Sequence, residues 1–221
     1  MPVYNAPLLF VDTKETRRYA GLAKAKFDEK TIAEACQEAQ LLAQPRGVWE
    51  TYAYDAQTQT VQATPPFVIQ GKIIGKHLRD AEQVVILSAT VGDNIETQGT
   101  KYFEAGRYAY ALLLDAAATT AVEQVADMME KAIAPKAKAA GFTMRWRFSP
   151  GYGDWPLTQQ DEMVRLAHAK TIGVSLTEAL MLFPRKSITA IIGLVREGAK
   201  KMDVPAGCAA CGQKNCPSRR D

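Results

Sequence analysis

Two stretches of the chain carry apolar residues at the spacing of an amphipathic or buried helix. Ile32, Cys36 and Ala39 recur three and four residues apart, which places them on one face of a helix. A longer Ala- and Leu-rich stretch, roughly Arg107–Ala134, predicts one long helix. We expect that helix to end near Pro135, because proline removes a backbone donor and crowds the preceding turn.

Other stretches have the patterns of strands. Val84–Ala89 is a nearly unbroken apolar run, typical of a central strand that is buried on both faces. Gly47–Tyr54 and Thr58–Ala63 alternate on either side of a short turn and predict a hairpin. Further strands are expected at Pro7–Val11, Phe142–Phe148 and Ser187–Leu194, and further helices at Thr13–Gly21, from about Asp93, and at Thr158–Lys170. Strands and helices do not alternate strictly, so the pattern favours an α+β fold with a twisted, mostly antiparallel sheet flanked by helices.

The 221 residues contain no internal repeat and no long linker. We therefore expect a single domain over residues 1–206, followed by a short cysteine-containing tail at 207–221.

Composition excludes several classes of protein. The 27 basic and 24 acidic side chains give a net charge of +3, which is too small and too evenly spread for a nucleic-acid surface. No uncharged apolar run approaches the roughly 20 residues of a membrane-spanning helix. The first residues include no basic leader, so we expect a cytoplasmic protein.

Three of the four cysteines lie close together in the tail, at Cys208, Cys211 and Cys216. The first pair has metal-ligand spacing, and Cys-Pro also occurs in ferredoxin loops. Three thiolates leave a metal or iron–sulfur site one ligand short, so a flexible or redox-active thiol tail is the alternative. The two histidines are too few for the usual His-based zinc enzymes.

Two glycine patterns do not match nucleotide-binding motifs. The segment from Gly71 to His77 is one residue short of a phosphate loop, and His77 stands where a magnesium-binding hydroxyl is needed. Gly151-Tyr-Gly153 lacks the third glycine of the dinucleotide fingerprint.

The loop around these last glycines is the strongest candidate for a binding site. Residues 145–156 combine two arginines, two glycines, two prolines and several aromatic residues between a predicted strand and a predicted helix. Arg147 can bind a carboxylate through a forked pair of hydrogen bonds, and the glycines allow close approach of a ligand. A tight turn with its aromatic residues packed in the core is the alternative.

The sequence Arg147-Phe-Ser-Pro-Gly151-Tyr152 matches the R-x-x-x-G-Y signature of the activation (reactivation) domain of cobalamin-dependent methionine synthase. Leu114–Glu123, Ile172–Met181 and Pro184–Gly193 also resemble that family, so the resemblance runs from about residue 80 to 195. The chain looks most like the stand-alone activation proteins of anaerobes, which end in a cysteine-containing tail.

The resemblance implies a methyltransferase component of methionine biosynthesis. Such a domain binds S-adenosylmethionine (SAM) in a shallow groove and docks against a corrinoid-bearing methionine synthase subunit. With an electron donor such as flavodoxin or ferredoxin, it restores methylcobalamin from inactive cob(II)alamin, the vitamin B12 cofactor carried by the partner. The alternatives are a non-catalytic module that docks or senses the corrinoid protein, and an electron-transfer adaptor that uses the cysteine tail.

The resemblance also implies individual roles. Arg147 pairs with the SAM carboxylate, and Glu123 accepts hydrogen bonds from the SAM amino group, unless it is an ordinary solvated helix carboxylate. Tyr152 faces the corrinoid and is the one residue expected at the reacting centre, unless it packs into the core. Backbone groups of the loop contact SAM at Ser149, Pro150 and Gly151. The family also uses an acidic residue near its N-terminus, which the sequence alone does not place.

Overall fold

The structure is a computed structural model, and it describes residues 2–198. Its helices are α1 (Thr13–Tyr19), α2 (Glu29–Leu42), α3 (Lys72–Leu78), α4 (Asn94–Glu104), α5 (Tyr108–Ala139) and α6 (Gln160–Leu166). Its strands are β1 (Val3–Tyr4), β2 (Arg46–Asp55), β3 (Thr60–Val61), β4 (Phe67–Val68), β5 (Gln83–Thr90), β6 (Phe142–Met144), β7 (Ser175–Leu176), β8 (Leu182–Phe183) and β9 (Ser187–Arg196).

Seven strands form one sheet in the order β4-β3-β2-β5-β9-β6, with β1 added along β2. Every strand pair in the described part of the chain is antiparallel, including the small β7–β8 ladder. The expected fold class, α+β with a mostly antiparallel sheet flanked by helices, is confirmed.

The centre of the sheet is covered on both faces. Val85 and Leu87 of β5 pack with α2 and α5, whereas Val84 and Ile86 pack on the opposite side with α3 and α6. Side chains alternate between faces along a strand, so a strand covered on both sides must be apolar at every position. This explains the unbroken apolar pattern of residues 84–87.

The long helix does not end where proline predicts. α5 runs through Pro135 to Ala139, although proline in a helix interior costs about 3 kcal/mol. The last turns are held from outside the helix: Ala137 is buried in the core, and the Lys136 ammonium lies 5.1 Å from the centre of the Trp49 ring. Tertiary packing therefore outweighs the local helix-breaking signal.

The expected strand at Pro7–Val11 is wrong, since this segment forms no strand and bends at Leu9. Its backbone is bound by side chains of the neighbouring helices instead. Gln40 donates to the carbonyl oxygens of Leu8 and Leu9, at 3.2 and 2.8 Å, and Gln124 donates to that of Phe10 at 3.2 Å. These bonds satisfy the polar backbone groups that a neighbouring strand would otherwise satisfy.

Three other elements are shorter than their patterns predict. The second hairpin strand covers only Thr60–Val61, and β6 ends at Met144, with Phe148 pairing again with β9 as an isolated bridge. The helix expected over 158–170 is broken into α6 and two short 3₁₀ turns. His168 interrupts it, because its φ of 56° is left-handed and cannot continue a right-handed helix.

Candidate functional site

The candidate site begins on an extended segment that follows β6 and runs beside β9. The amide of Arg145 donates to the carbonyl of Gly193 at 2.8 Å, and Phe148 and Ile191 exchange backbone hydrogen bonds of 2.9 and 2.8 Å. Trp146 and Phe148 pack into the core on the α3 and α6 side. Arg147, which lies between them, therefore points to the opposite side, where α5 lies.

Arg147 meets three carboxylates on one face of α5. Its Nη2 lies 2.7 Å from Oε2 of Glu123, and its Nη1 lies 2.6 Å from Oδ1 of Asp127 and also bonds Glu130. The three acids are four and three residues apart, so they are neighbours on the helix surface, where like charges repel. The guanidinium relieves this repulsion, and it fixes the loop to the helix.

The surroundings of Arg147 favour its charged form. Burial by itself would lower the pKa of the guanidinium. Hydrogen bonds and charge attraction from Glu130, Asp127 and Glu123 outweigh that effect, and the pKa is raised above its ordinary value. Arg147 is thus a permanent cation in a site with a surplus of acidic side chains.

After Arg147 the chain forms a rigid loop. The Ser149 hydroxyl donates to the carbonyl of Thr189 at 2.7 Å, and Pro150 is buried. The amide of Gly151 donates to the carbonyl of Trp155 at 2.8 Å, so it is used inside the loop. The carbonyl of Ser149 also accepts inside the loop, from the amide of Tyr152 at 3.2 Å, which leaves the carbonyl oxygens of Pro150 and Gly151 for contact with a bound molecule.

Gly151 is open on its outer side. Its φ of 87° lies in the left-handed region, which glycine adopts without strain. A Cβ atom added there would meet nothing nearer than Cδ1 of Leu157, at 3.6 Å. A ligand can therefore approach the backbone at this position.

Tyr152 stands at the tip of the loop with 65% of its surface exposed, so it does not belong to the core. Its ring makes an edge-on contact with Phe148 at 6.3 Å between centres. Desolvation raises the pKa of its hydroxyl, and the nearby charge of Glu123 raises it further, while Arg147 opposes the shift. The hydroxyl is therefore a protonated donor at neutral pH.

Asp12 is an N-terminal acidic residue that lies beside this site. It caps α1, since its Oδ1 accepts a 2.9 Å hydrogen bond from the amide of Glu15. Its own amide donates to Oε1 of Gln124 at 2.9 Å, and Gln124 directly follows Glu123 on α5. The structure thus places the backbone of this N-terminal residue against α5, at the residue that follows Glu123.

The donor set suits an amino-acid ligand that carries extra positive charge. A guanidinium is a forked donor for a carboxylate, and the surrounding acids attract an ammonium or sulfonium group. Within residues 2–198, no group of His, Cys, Asp or Glu side chains has an arrangement that could hold a metal ion. The predicted metal ligands Cys208, Cys211 and Cys216 lie outside the described residues.

A cavity of about 270 Å³ lies elsewhere, between α4 and α5. Phe103, Tyr108 and Leu112 form its apolar wall, and none of the site residues around Arg147 lines it. The candidate site itself is formed by one face of α5 and the loop that carries Arg147.

Sequence reasoning missed Asp127 and Glu130 as members of the cluster. The signal was present, because positions 123, 127 and 130 share one face of any helix that spans them.

Among the described residues, no helix combines the length and apolar character needed to cross a membrane.

No protein-family model matches the chain, and no curated protein sequence matches it. In structure, the chain is similar to the MetH reactivation domain in its crystal structure bound to AdoHcy, with a TM-score of 0.60. The similarity covers 91% of this chain and 81% of that one, at 14% sequence identity. At so low a sequence identity, the structural similarity shows that the two chains share a fold.

Proposed function

We propose that this protein binds SAM and supplies its methyl group for the reactivation of a cobalamin-dependent methionine synthase. The observation that carries the proposal is the contact between Arg147 and Glu123, two positions of the sequence resemblance that the fold brings to 2.7 Å. The shared fold with a reactivation domain whose crystal structure contains AdoHcy, the demethylated form of SAM, supports the same ligand class.

The amino-acid end of SAM is bound by charge. Arg147 binds the carboxylate, and Glu123 accepts from the amino group, with Asp12 as a third, N-terminal ligand residue. Three of the five N–H donors of Arg147 already bind acids of α5. The side chain of Asp127 is the most exposed of these acids, at 54%, so it is the partner that a ligand carboxylate displaces at least cost.

The loop positions the rest of the ligand. Backbone groups of Ser149, Pro150 and Gly151 face the nucleoside portion, and the open side of Gly151 admits it. The acidic face of α5 stabilises the positive sulfonium in the ground state, which keeps SAM bound in a site exposed to a partner.

Tyr152 faces the corrinoid of the partner. Its exposed ring would offer a flat apolar surface to a macrocycle, and its protonated hydroxyl would be a hydrogen-bond donor toward the bound corrinoid. The corrinoid supplies the chemistry: one electron from a donor and the methyl of SAM convert cob(II)alamin to methylcobalamin, with S-adenosylhomocysteine released. The protein needs no acid or base for this transfer, and it contributes orientation.

The test is reconstitution with a corrinoid-loaded methionine synthase subunit, a low-potential reductant such as reduced flavodoxin, and SAM. We expect the cobalt absorption spectrum to change from cob(II)alamin to methylcobalamin only when the protein and SAM are both present. The Arg147→Ala variant should fail at SAM concentrations that saturate the wild type. Docking without any SAM requirement would favour a docking or sensing module, and reduction of cobalt without methylation would favour an electron-transfer adaptor.

A further inference from the structure

Helix α3 lies alongside the loop of the candidate site and has no part in the proposed ligand contacts. It contains the glycine motif of residues 71–77, which does not match a phosphate loop. In the structure this motif is a seven-residue helix whose N-cap, Gly71, has no side chain that could cap it. The capping group comes instead from the loop.

Asp154 supplies that cap from 82 residues away. Its Oδ2 accepts from the amide of Lys72 at 2.6 Å, and its Oδ1 accepts from the amide of Ile73 at 2.9 Å. Two of the helix amides that lack intrahelical partners are thus satisfied by one carboxylate. A Cβ at Gly71 would lie only 3.0 Å from Oδ1 of Asp154, so glycine leaves the space that this contact needs.

The C-terminal end of α3 binds the start of the site segment, at Trp146. Nε2 of His77 lies 2.8 Å from the carbonyl oxygen of Trp146, and the two rings are 4.3 Å apart. His77 is 1% exposed, and the neutral tautomer that carries its proton on Nε2 donates this bond. The residue before Arg147 and the residue two after Tyr152 are therefore both attached to one short helix.

The middle of the segment also packs on α3. A Cβ at Gly153 would come within 3.1 Å of Cδ1 of Ile73, so the loop backbone lies directly against that side chain. Trp155, which follows Asp154, is buried and donates from Nε1 to Gln159 at 2.7 Å. Tyr152 therefore projects from a backbone that is bound to α3 before it, at Trp146, and after it, at Asp154.

We infer that Asp154 is a positioning residue: by capping α3 it sets the loop geometry that presents Gly151 and Tyr152, without touching the ligand itself. The inference rests on the proposed function for the identity of that ligand. The carboxylate is exposed at the surface, so removing it leaves no buried cavity. Its loss therefore releases the loop from α3 while the core remains intact.

The test compares wild type, Asp154→Ala and Asp154→Asn in the full chain, with Asp93→Ala as a matched control. Asp93 is also an exposed aspartate at a helix start, but its side chain makes no cap hydrogen bond. Hydrogen exchange is measured at the amides of Lys72, Ile73, Gly151 and Trp155, together with SAM affinity and melting temperature. Asp154→Ala should speed exchange at all four amides and weaken SAM binding about tenfold, a change of about 1.4 kcal/mol.

Asp154→Asn retains one acceptor oxygen and should restore part of the protection and part of the affinity. Asp93→Ala should leave exchange and affinity at wild-type values. Unchanged exchange at Gly151 and Trp155 in Asp154→Ala would overturn the inference, and so would faster exchange with unchanged SAM affinity. If wild type itself binds no SAM, the proposed function fails, whereas loop positioning by Asp154 is still decided by exchange at Gly151 and Trp155.

Discussion

Nη2 of Arg147 lies 2.7 Å from Oε2 of Glu123, although 24 residues separate them in the chain. One residue belongs to the loop that follows β6 and the other to α5, so this ion pair joins the two walls of the candidate site. In the proposed function, Arg147 binds the carboxylate of the ligand's amino-acid end and Glu123 binds its amino group. The pair therefore pre-orients both groups before a ligand binds, and a ligand carboxylate reaches Arg147 by displacing Asp127, the most exposed of its three acidic partners.

The acidic face of α5 makes Arg147 important for stability as well as for binding. We expect Arg147→Ala to lower the free energy of unfolding by about 1–3 kcal/mol, because three neighbouring carboxylates lose their hydrogen-bonded counter-ion. Denaturant melts in low salt and in 1 M NaCl measure this loss. High salt should recover part of it by screening the repulsion. A loss that salt does not change would mean that packing of the arginine stem, and not charge, stabilises the site.

Tyr152 and Trp155 are close in sequence but differ in burial, which makes them a matched pair. Tyr152→Ala should change the free energy of unfolding by less than about 1 kcal/mol, because the side chain is 65% exposed. Trp155→Ala should cost about 3–5 kcal/mol, because the ring is 1% exposed. Equilibrium denaturation of both variants checks the contrast. Equal losses would place Tyr152 in the core and remove the basis for its proposed role at the corrinoid.

His77 makes stability depend on pH. Burial lowers the pKa of its imidazole, the charge of Arg145 lowers it further, and the bond to Trp146 acts in the opposite direction. A base with a lowered pKa in the folded state binds fewer protons there than in the unfolded state. Its stabilising contribution is therefore present above about pH 6.5, the ordinary value, and is lost as pH falls through the lower folded value.

We expect the free energy of unfolding to fall as the pH decreases below about 6.5, and to fall less steeply in His77→Gln. Urea melts across this range measure both slopes. His168→Gln is the control, since it changes the other histidine of the chain. Equal slopes in wild type and His77→Gln would contradict a buried neutral imidazole.

The cysteine tail should be dispensable for folding. The described core clusters are built by residues up to Val195, so removal of 207–221 should leave the melting temperature unchanged in metal-free buffer. A drop of many degrees on truncation, or on addition of a chelator to the full chain, would instead indicate a structural metal bound by Cys208, Cys211 and Cys216. Iron content and the visible spectrum after anaerobic purification test the iron–sulfur alternative.

The local sequence pattern was sufficient to predict an element where the burial of that element alone fixes its residue types. The apolar run at 84–89 predicted the central strand, because a strand covered on both faces has little choice of residue type. Local patterns failed where distant groups decide. Pro135 should end α5, yet burial of Ala137 and the contact of Lys136 with Trp49 extend the helix past it.

The same limit applies to the site. Arg147 and Glu123 could be named from the sequence, because both fall in stretches that resemble one family. The attachment of Asp154 to the start of α3 could not, since no periodicity links a loop carboxylate to amides 82 residues away. Such contacts depend on the packed arrangement of the whole sheet.

The central claim is that SAM binds between the Arg147 loop and α5. Isothermal titration calorimetry with SAM on wild type and Arg147→Ala tests it most directly, at a temperature where both are folded. Arg185→Ala is the control, because that arginine pairs with Glu96 away from the site. The account predicts measurable binding to wild type and to Arg185→Ala, and a loss of about 2–4 kcal/mol in Arg147→Ala. Undetectable binding to wild type, or equal affinity in Arg147→Ala, would contradict it.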